Sequence, residues 1–192
     1  MSSKRLILAS GSPRRAALLD QMGIPYEVRV PGVAEEPLPG EDAALFVERM
    51  ARQKAAAVPA DHAVVLAADT VVVLRERILG KPAGAEDGIA MLKSLGGREH
   101  RVLTAIAVTD GVRLDSEVVS TRVRMVPVDD ALARAYWRTG EGADKAGGYG
   151  IQGIGGILVE SIEGSYSAVV GLPLPETERA LVRLGVDTWR HR

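Results

Sequence analysis

The sequence predicts an α/β protein of mixed α+β character, and three observations carry that expectation. Strand-like and helix-like stretches interleave along the whole chain. Ala63–Leu74, AVVLAADTVVVL, is apolar at nearly every position, as in a strand buried on both faces. Val119, Thr121, Val123 and Met125 alternate with Ser120, Arg122 and Arg124, the period of a half-exposed strand, so some strands should be antiparallel. No repeat or low-complexity linker divides the chain, and 192 residues suit one domain over residues 1–192.

The elements follow in order. Leu6–Ala9 is a short apolar strand, ended by the turn Ser10-Gly11-Ser12-Pro13. Ser12 suits an N-cap and Pro13 the first helical position. Ala16, Ala17, Leu18, Leu19 and Met22 then give the helix an apolar face, and Gly23 stops it. Tyr26–Val30 alternates as a strand, and the Pro/Gly-rich stretch Pro31–Glu41 is a loop. Glu41–Val58 is Ala-rich and helical, closed by Pro59. After the Ala63–Leu74 strand, Gly80-Lys81-Pro82 makes a turn. Ala85–Leu95 is a helix ended by Gly96-Gly97, Arg101–Thr109 a strand, and Asp130–Thr139 a helix. Nine of the 21 glycines then fall between Gly142 and Gly171. Ile157–Ile162 and Ala168–Val170 are expected as strands inside that tract, and Pro175–Leu184 as the last helix.

Composition excludes several function classes. With 46% hydrophobic and 26% charged residues, the chain can bury a core, which argues against disorder. Lys+Arg 24 against Asp+Glu 25 leaves a net charge of -1, against a generic nucleic-acid coat. Two Trp, four Tyr and one Phe supply a base-stacking platform poorly. The absence of cysteine removes disulfides, thiolate metal sites and cysteine nucleophiles. His62, His100 and His191 lie far apart without ligand spacing, and each is expected at the surface, so neither a histidine metal site nor a Ser-His-Asp triad is supported. No run approaches the ~20 apolar residues of a membrane span. The apolar stretch in MSSKRLILASGSPRR is too short for a signal peptide. The expectation is a cytoplasmic protein with neither membrane nor nucleic acid as partner.

Four segments carry candidate chemistry. In Ser10-Gly11-Ser12-Pro13-Arg14-Arg15 a strand turns into a helix whose first turn holds two arginines, where the helix dipole disfavours cations. An anion is therefore expected there, held by backbone N–H groups, the Ser10 hydroxyl and a guanidinium; the alternative is a plain capped helix with solvated arginines. Asp69-Thr70 lies within the apolar strand, where a carboxylate is costly unless paired or used for chemistry; alternatively, Asp69 caps a strand break. Lys81, between Gly and Pro, suits a phosphate as a point charge or is a solvated turn lysine. Lys145–Gly156, KAGGYGIQGIGG, contains Gly148-x-Gly150-x-x-Gly153. This is not a dinucleotide fingerprint, because it follows a helix and leads into a strand. It reads instead as a loop whose missing side chains let a ligand approach, with Gln152 able to read a base edge, or as a glycine-rich connection. Glu35 and Lys54 are weaker candidates, for a metal and a phosphate respectively.

Taken together, LASGSPRRAALL, Glu35, RQKA around Lys54, AADT at Ala67–Thr70, GKP at Gly80–Pro82, KAGGYGIQG at Lys145–Gly153 and VVGLPL at Val169–Leu174 resemble, in order, the Maf family of nucleotide pyrophosphatases. Gln53 stands where the family often has Glu. The resemblance implies an elongated mixed sheet flanked by helices, of the Maf/ITPase-like kind, with a ligand cleft. It also implies a homodimer and hydrolysis of a nucleoside triphosphate to the monophosphate and pyrophosphate with a divalent metal. By the same resemblance Asp69 is the proton acceptor, Ser10, Arg15, Lys54 and Lys81 contact phosphates, and Glu35 is a metal-site carboxylate with Asp69. Arg14, Thr70 and Gln152 match the group acting on dTTP and UTP rather than the group preferring 7-methyl-GTP.

The residues read alone agree with that chemistry. Attack of water at the α-phosphorus needs a base and charge neutralisation. Asp69 supplies the first, and Arg15, Lys54 and Lys81 the second. Oxygen ligands suit Mg²⁺ or Mn²⁺. A 7-methyl-GTP pyrophosphatase, a non-catalytic nucleotide-binding regulator and a nucleic-acid-binding module remain the alternatives at this point.

Overall fold

A computed structural model of the chain describes residues 4–189, so His191 lies outside the described residues. The elements, in chain order, are β1 (Arg5–Leu8), α1 (Pro13–Gln21), β2 (Tyr26–Val28), α2 (Ala43–Ala56), β3 (Ala63–Leu74), β4 (Arg77–Leu79), α3 (Ala85–Leu95), β5 (Glu99–Thr109), β6 (Leu114–Met125), α4 (Asp130–Trp137), β7 (Val159–Glu163), α5 (Tyr166–Val170) and α6 (Leu174–Arg183). The seven strands form one mixed sheet in the order β2-β1-β3-β5-β6-β7, with β4 added beside β3. β1 runs parallel to both neighbours, with Leu6 opposite Tyr26 and Val64. β4 is antiparallel to β3 and β7 antiparallel to β6. The expected mixture of parallel and antiparallel pairing is therefore present.

Contacts divide the chain into two compact units. The first takes in the chain up to Asp69, then Thr104–Val119, then the chain from Gly171 onward. Its helix α2 shows how the sequence dictates the site. Asp42 caps the helix by accepting from the Ala44 and Leu45 amides at 2.8 and 3.3 Å. Phe46, Val47, Met50, Ala51, Lys54 and Ala55 recur at three- and four-residue spacing and form the buried face. Lys54 thus falls on the apolar stripe by helical geometry. Burial of that lysine demands a partner.

The second unit comprises Thr70–Leu103 and Ser120–Val170. Its core joins Val72, Leu79, Ile89, Leu92, Leu95, Val102, Val123 and Met125 with Ala133 and Tyr136 of α4. α3 approaches α4 at Gly88, where even a methyl group would lie 2.0 Å from the Trp137 ring. His100 is buried here at 2% exposure, contrary to the expected surface position, whereas His62 is exposed. His100 alternates with the exposed Glu99 and Arg101 at the start of β5, which places it on the inward face, and the imidazole finds Tyr149 as its polar partner.

Local corrections have local causes. Ala168–Val170, expected as a strand, is the end of helix α5. The Ser165 hydroxyl accepts from the Ala168 amide at 3.2 Å, a turn-forming contact that starts a helix, and three apolar residues carry no period of their own. The strand expected at Ile157 begins at Val159, because Gly153–Leu158 winds as a 3-10 helix. β4 was not expected: its three residues are too few to show alternation. β6 begins at Leu114, five residues before the alternation starts, where exposure is uniformly intermediate. Ser12 occupies the N-cap of α1, but its side chain makes no capping bond. The GxGxxG segment lies between α4 and β7, as its rejection as a dinucleotide site requires.

Candidate active site

In the first unit, Asp69 sits within β3 at 7% exposure and does not cap a strand break. Its Oδ1 accepts from Lys54 Nζ at 2.6 Å. The same ammonium meets Glu35 Oε1 at 2.6 Å, so Lys54 lies between a buried and an exposed carboxylate. Burial pushes the Asp69 carboxyl above its ordinary value, while Lys54 and then Arg15 pull it back down. A carboxylate shifted upward in this way is a better proton acceptor than a solvated one.

The turn after β1 adds cationic and hydroxyl groups to this unit. Ser10 is buried, and its hydroxyl accepts from the Ser12 amide at 3.2 Å and from Arg15 Nη1 at 3.2 Å. Arg15 Nε donates to the Gly171 carbonyl at 2.9 Å. Arg15 therefore does not simply point into solvent. Burial pulls its pKa down against the attraction of Asp69, yet a guanidinium stays charged in a protein. The first turn of α1 contains no acidic residue, and Arg14 is half-buried. The sequence expectation brought Ser10, Arg15, Glu35, Lys54 and Asp69 to one chemistry, and the structure joins them through direct hydrogen bonds, ion pairs and mutual electrostatics.

The second unit carries Thr70, Lys81 and Gln152. Thr70 is half-buried, next to Asp69 along β3. Lys81 is exposed in the turn after β4, and that turn is fastened to the glycine-rich loop by the Gly147 amide donating to the Gly80 carbonyl at 3.0 Å. Gln152 is exposed at the start of the Gly153–Leu158 3-10 helix and makes no capping bond.

Sequence reasoning missed what holds this loop. Glu141 accepts from the Ile154 amide at 2.9 Å, the Gly155 amide at 2.8 Å and the Tyr136 hydroxyl at 3.0 Å. Burial alone would push the Glu141 carboxyl up, but these bonds and Lys145 hold it below its ordinary value. Tyr149 of the loop shares a 2.7 Å hydrogen bond with His100 Nε2, their rings meeting edge to face. The sequence held one signal for Glu141, a carboxylate between two glycines at the head of a glycine tract, but nothing in its spacing revealed the amides it would meet.

Whether a divalent cation suits the first unit depends on donor chemistry. Glu35 and Asp69 offer hard oxygen ligands, but among the described residues no group of three or more His, Asp or Glu forms a ready cage. That pattern fits Mg²⁺ or Mn²⁺, which take one or two carboxylates and complete their shell with phosphate oxygens and water.

Comparison with known proteins bears on the whole chain. A dTTP/UTP pyrophosphatase of Pseudoalteromonas atlantica is 48% identical over 187 residues, covering 94% of this chain and 97% of that protein. One from an Anaeromyxobacter species is 52% identical over 187 residues, covering 94% and 90%. One from Vibrio cholerae is 48% identical over 184 residues, covering 94% and 98%. Among solved structures, a HAM1 protein from Coxiella burnetii aligns with a TM-score of 0.45 at 17% identity over 64% of this chain and 73% of that one, too partial a likeness to add to the assignment. The model of the Maf-like protein family matches residues 5–184, which takes in every residue of the Lys54–Asp69 cluster and of the Gln152 loop: the chain belongs to the Maf family.

Proposed function

We propose that the protein hydrolyses dTTP and UTP to the nucleoside monophosphate and pyrophosphate. The observation that carries this reading is the buried Asp69–Lys54 pair beside Glu35, in a chain 48–52% identical to three dTTP/UTP pyrophosphatases. Asp69 accepts the proton of the attacking water, and burial supplies the basicity. Lys54 holds Asp69 in place and neutralises charge gathering on the phosphates. Ser10 and Arg15 bind phosphate oxygens, and Lys81 adds a further cation for the pyrophosphate leaving group. Arg14, Thr70 and Gln152 discriminate the base. A pyrimidine with a carbonyl–NH–carbonyl edge is matched by an amide that both donates and accepts.

Glu35 and Asp69 would hold Mg²⁺ or Mn²⁺, which would supply further charge neutralisation at the phosphates when bound. The protein is proposed to work in the cytoplasm as a homodimer, a state that sedimentation measures directly. No helix of the described residues is long and apolar enough to cross a membrane. Retention of Asp69, Lys54 and Lys81 together favours an enzyme over a silent nucleotide-binding regulator.

The test is pyrophosphate release from dTTP, UTP, CTP, GTP and 7-methyl-GTP at one metal concentration. We expect dTTP and UTP to lead, with CTP, whose edge inverts part of that pattern, well below. A clear preference for 7-methyl-GTP overturns the base assignment, and no release from any nucleotide overturns the enzymatic one.

A further inference from the structure

We infer that Glu141 is the positioning residue for base selection: its carboxylate, with the Tyr136 hydroxyl, fixes the backbone on both sides of Gln152. This rests on the reading of Gln152 as the residue that meets the base. Gly150, two residues before Gln152, donates its amide to the Tyr136 hydroxyl at 3.1 Å. Ile154, two residues after it, donates to Glu141 Oε2 at 2.9 Å, and Gly155 donates to Oε1 at 2.8 Å. Tyr136 closes the arrangement by donating to Oε1 at 3.0 Å. One carboxylate and one phenol thus hold amides before and after an exposed glutamine whose own side chain makes no cap.

The glycines follow from this clamp. A Cβ on Gly153 would lie 2.6 Å from Glu141 Oε2, and one on Gly155 would lie 2.9 Å from Oε1 and 2.0 Å from the Gly150 carbonyl oxygen. Gly153 also has φ +66°, which a side chain would strain. The carboxylate therefore occupies the space that side chains would need. Lys145 donates to the Glu141 backbone carbonyl, and also to Asp144 Oδ1 at 2.7 Å. Charge-assisted bonds to backbone amides are the stronger kind, so the clamp restrains the loop before any ligand arrives. Glu141 itself, half-buried beneath the loop with its oxygens committed to these donors, does not serve as a general base.

The consequence is a separation of roles. Loss of the clamp should loosen Gln152 and leave the proton acceptor in the first unit untouched. The experiment compares wild type, Glu141→Gln, Tyr136→Phe and Gln152→Glu, the last as a benchmark for lost base reading. In Glu141→Gln the dTTP-to-GTP ratio of kcat/KM should shrink about 10-fold, the scale of a modest misplacement of a binding group, mainly through KM for dTTP. The acid limb of the pH profile should not move. Tyr136→Phe, a milder change, should shift the ratio the same way, and it carries the test if Glu141→Gln does not fold. In the ligand-free protein, amide hydrogen exchange at residues 150–155 should accelerate in both variants while β3 stays protected. Unchanged exchange in the loop overturns the clamp. Faster exchange with wild-type base ranking, or equal loss of kcat on every nucleotide, overturns the positioning role. If wild type itself releases no pyrophosphate from dTTP or UTP, the functional reading falls and the specificity role with it, while the exchange result still decides the clamp.

Discussion

A lysine between two carboxylates is a tuning device as much as a binding group. Asp69 is raised by burial and lowered by Lys54, so the two effects oppose each other at one carboxyl. Asp69→Asn keeps the shape and removes the basicity, and kcat should fall about 10²-fold or more in a folded protein. Lys54→Met removes the largest opposing influence, so the acid limb of the kcat profile should move to higher pH as well as losing height; a limb that stays in place would exclude Asp69 as the base. The sign for stability is the reverse of that for a carboxylate whose pKa is lowered on folding, because burial here outweighs the Lys54 ion pair. Because the folded pKa is raised, stability from this group increases as pH falls through that pKa, and the cost of ionising it is carried above. His100 shows the opposite case. Burial lowers its pKa from 6.5 to about 4, so the neutral imidazole stabilises the fold fully above 6.5, and that contribution drains away as pH falls from 6.5 to about 4. At its steepest the loss is about 1.4 kcal/mol per pH unit. His100→Gln keeps a hydrogen-bonding group for Tyr149 and does not titrate, so chemical denaturation across this window should show a flatter pH dependence. An unchanged slope would assign the acid sensitivity elsewhere.

At the scale of elements, periodicity made long pieces legible and chemistry made short ones illegible. α2 was readable as a long Ala-rich helix of fourteen residues, and β3 because its twelve residues are apolar at nearly every position, which placed Asp69 in a buried run; the burial of Lys54 emerged only from the structure. α5, with five residues, and β4, with three, could not show a period, and the turn-forming hydroxyl of Ser165 decided the first of them. The loop around Gln152 was visible as a glycine tract, but its restraint came from Glu141 and Tyr136, whose amide partners lie up to fourteen residues away. Packing between elements gives a further test. Gly88 lies inside α3, where alanine is intrinsically favoured over glycine by about 1 kcal/mol. Its Cβ would stand 2.0 Å from Trp137 Cζ3, and overpacking costs about 1–3 kcal/mol. The clash wins, so Gly88→Ala should lower Tm and alter Trp137 fluorescence, while Gly88→Ala with Trp137→Leu should recover part of the loss. A more stable Gly88→Ala protein would show that propensity outweighs this contact.

Over the whole molecule, the order of the chain and the order of the structure differ. The first unit draws on three separate stretches, and its last stretch supplies Leu172, Leu181, Leu184 and Val186, all buried, together with the Gly171 carbonyl that meets Arg15. Burial of such side chains stabilises by roughly 1.5–3 kcal/mol each, so these four approach the roughly 5–15 kcal/mol that keeps a protein folded. A chain ending at Val170 should therefore leave β1 and the start of β3 open to rapid amide exchange; protection equal to that of the full chain would contradict the division. The second unit, by contrast, is complete once Val170 has been made. During synthesis the unit that begins later in the sequence is thus finished first, and the N-terminal residues wait for the C-terminal ones. At a translation rate of roughly 5–20 residues per second that wait lasts seconds. Through it a nascent chain carries the strand and helix of Asp69 and Lys54 without the last stretch of their own unit, and a polypeptide released early lacks the Gly171 carbonyl that meets Arg15.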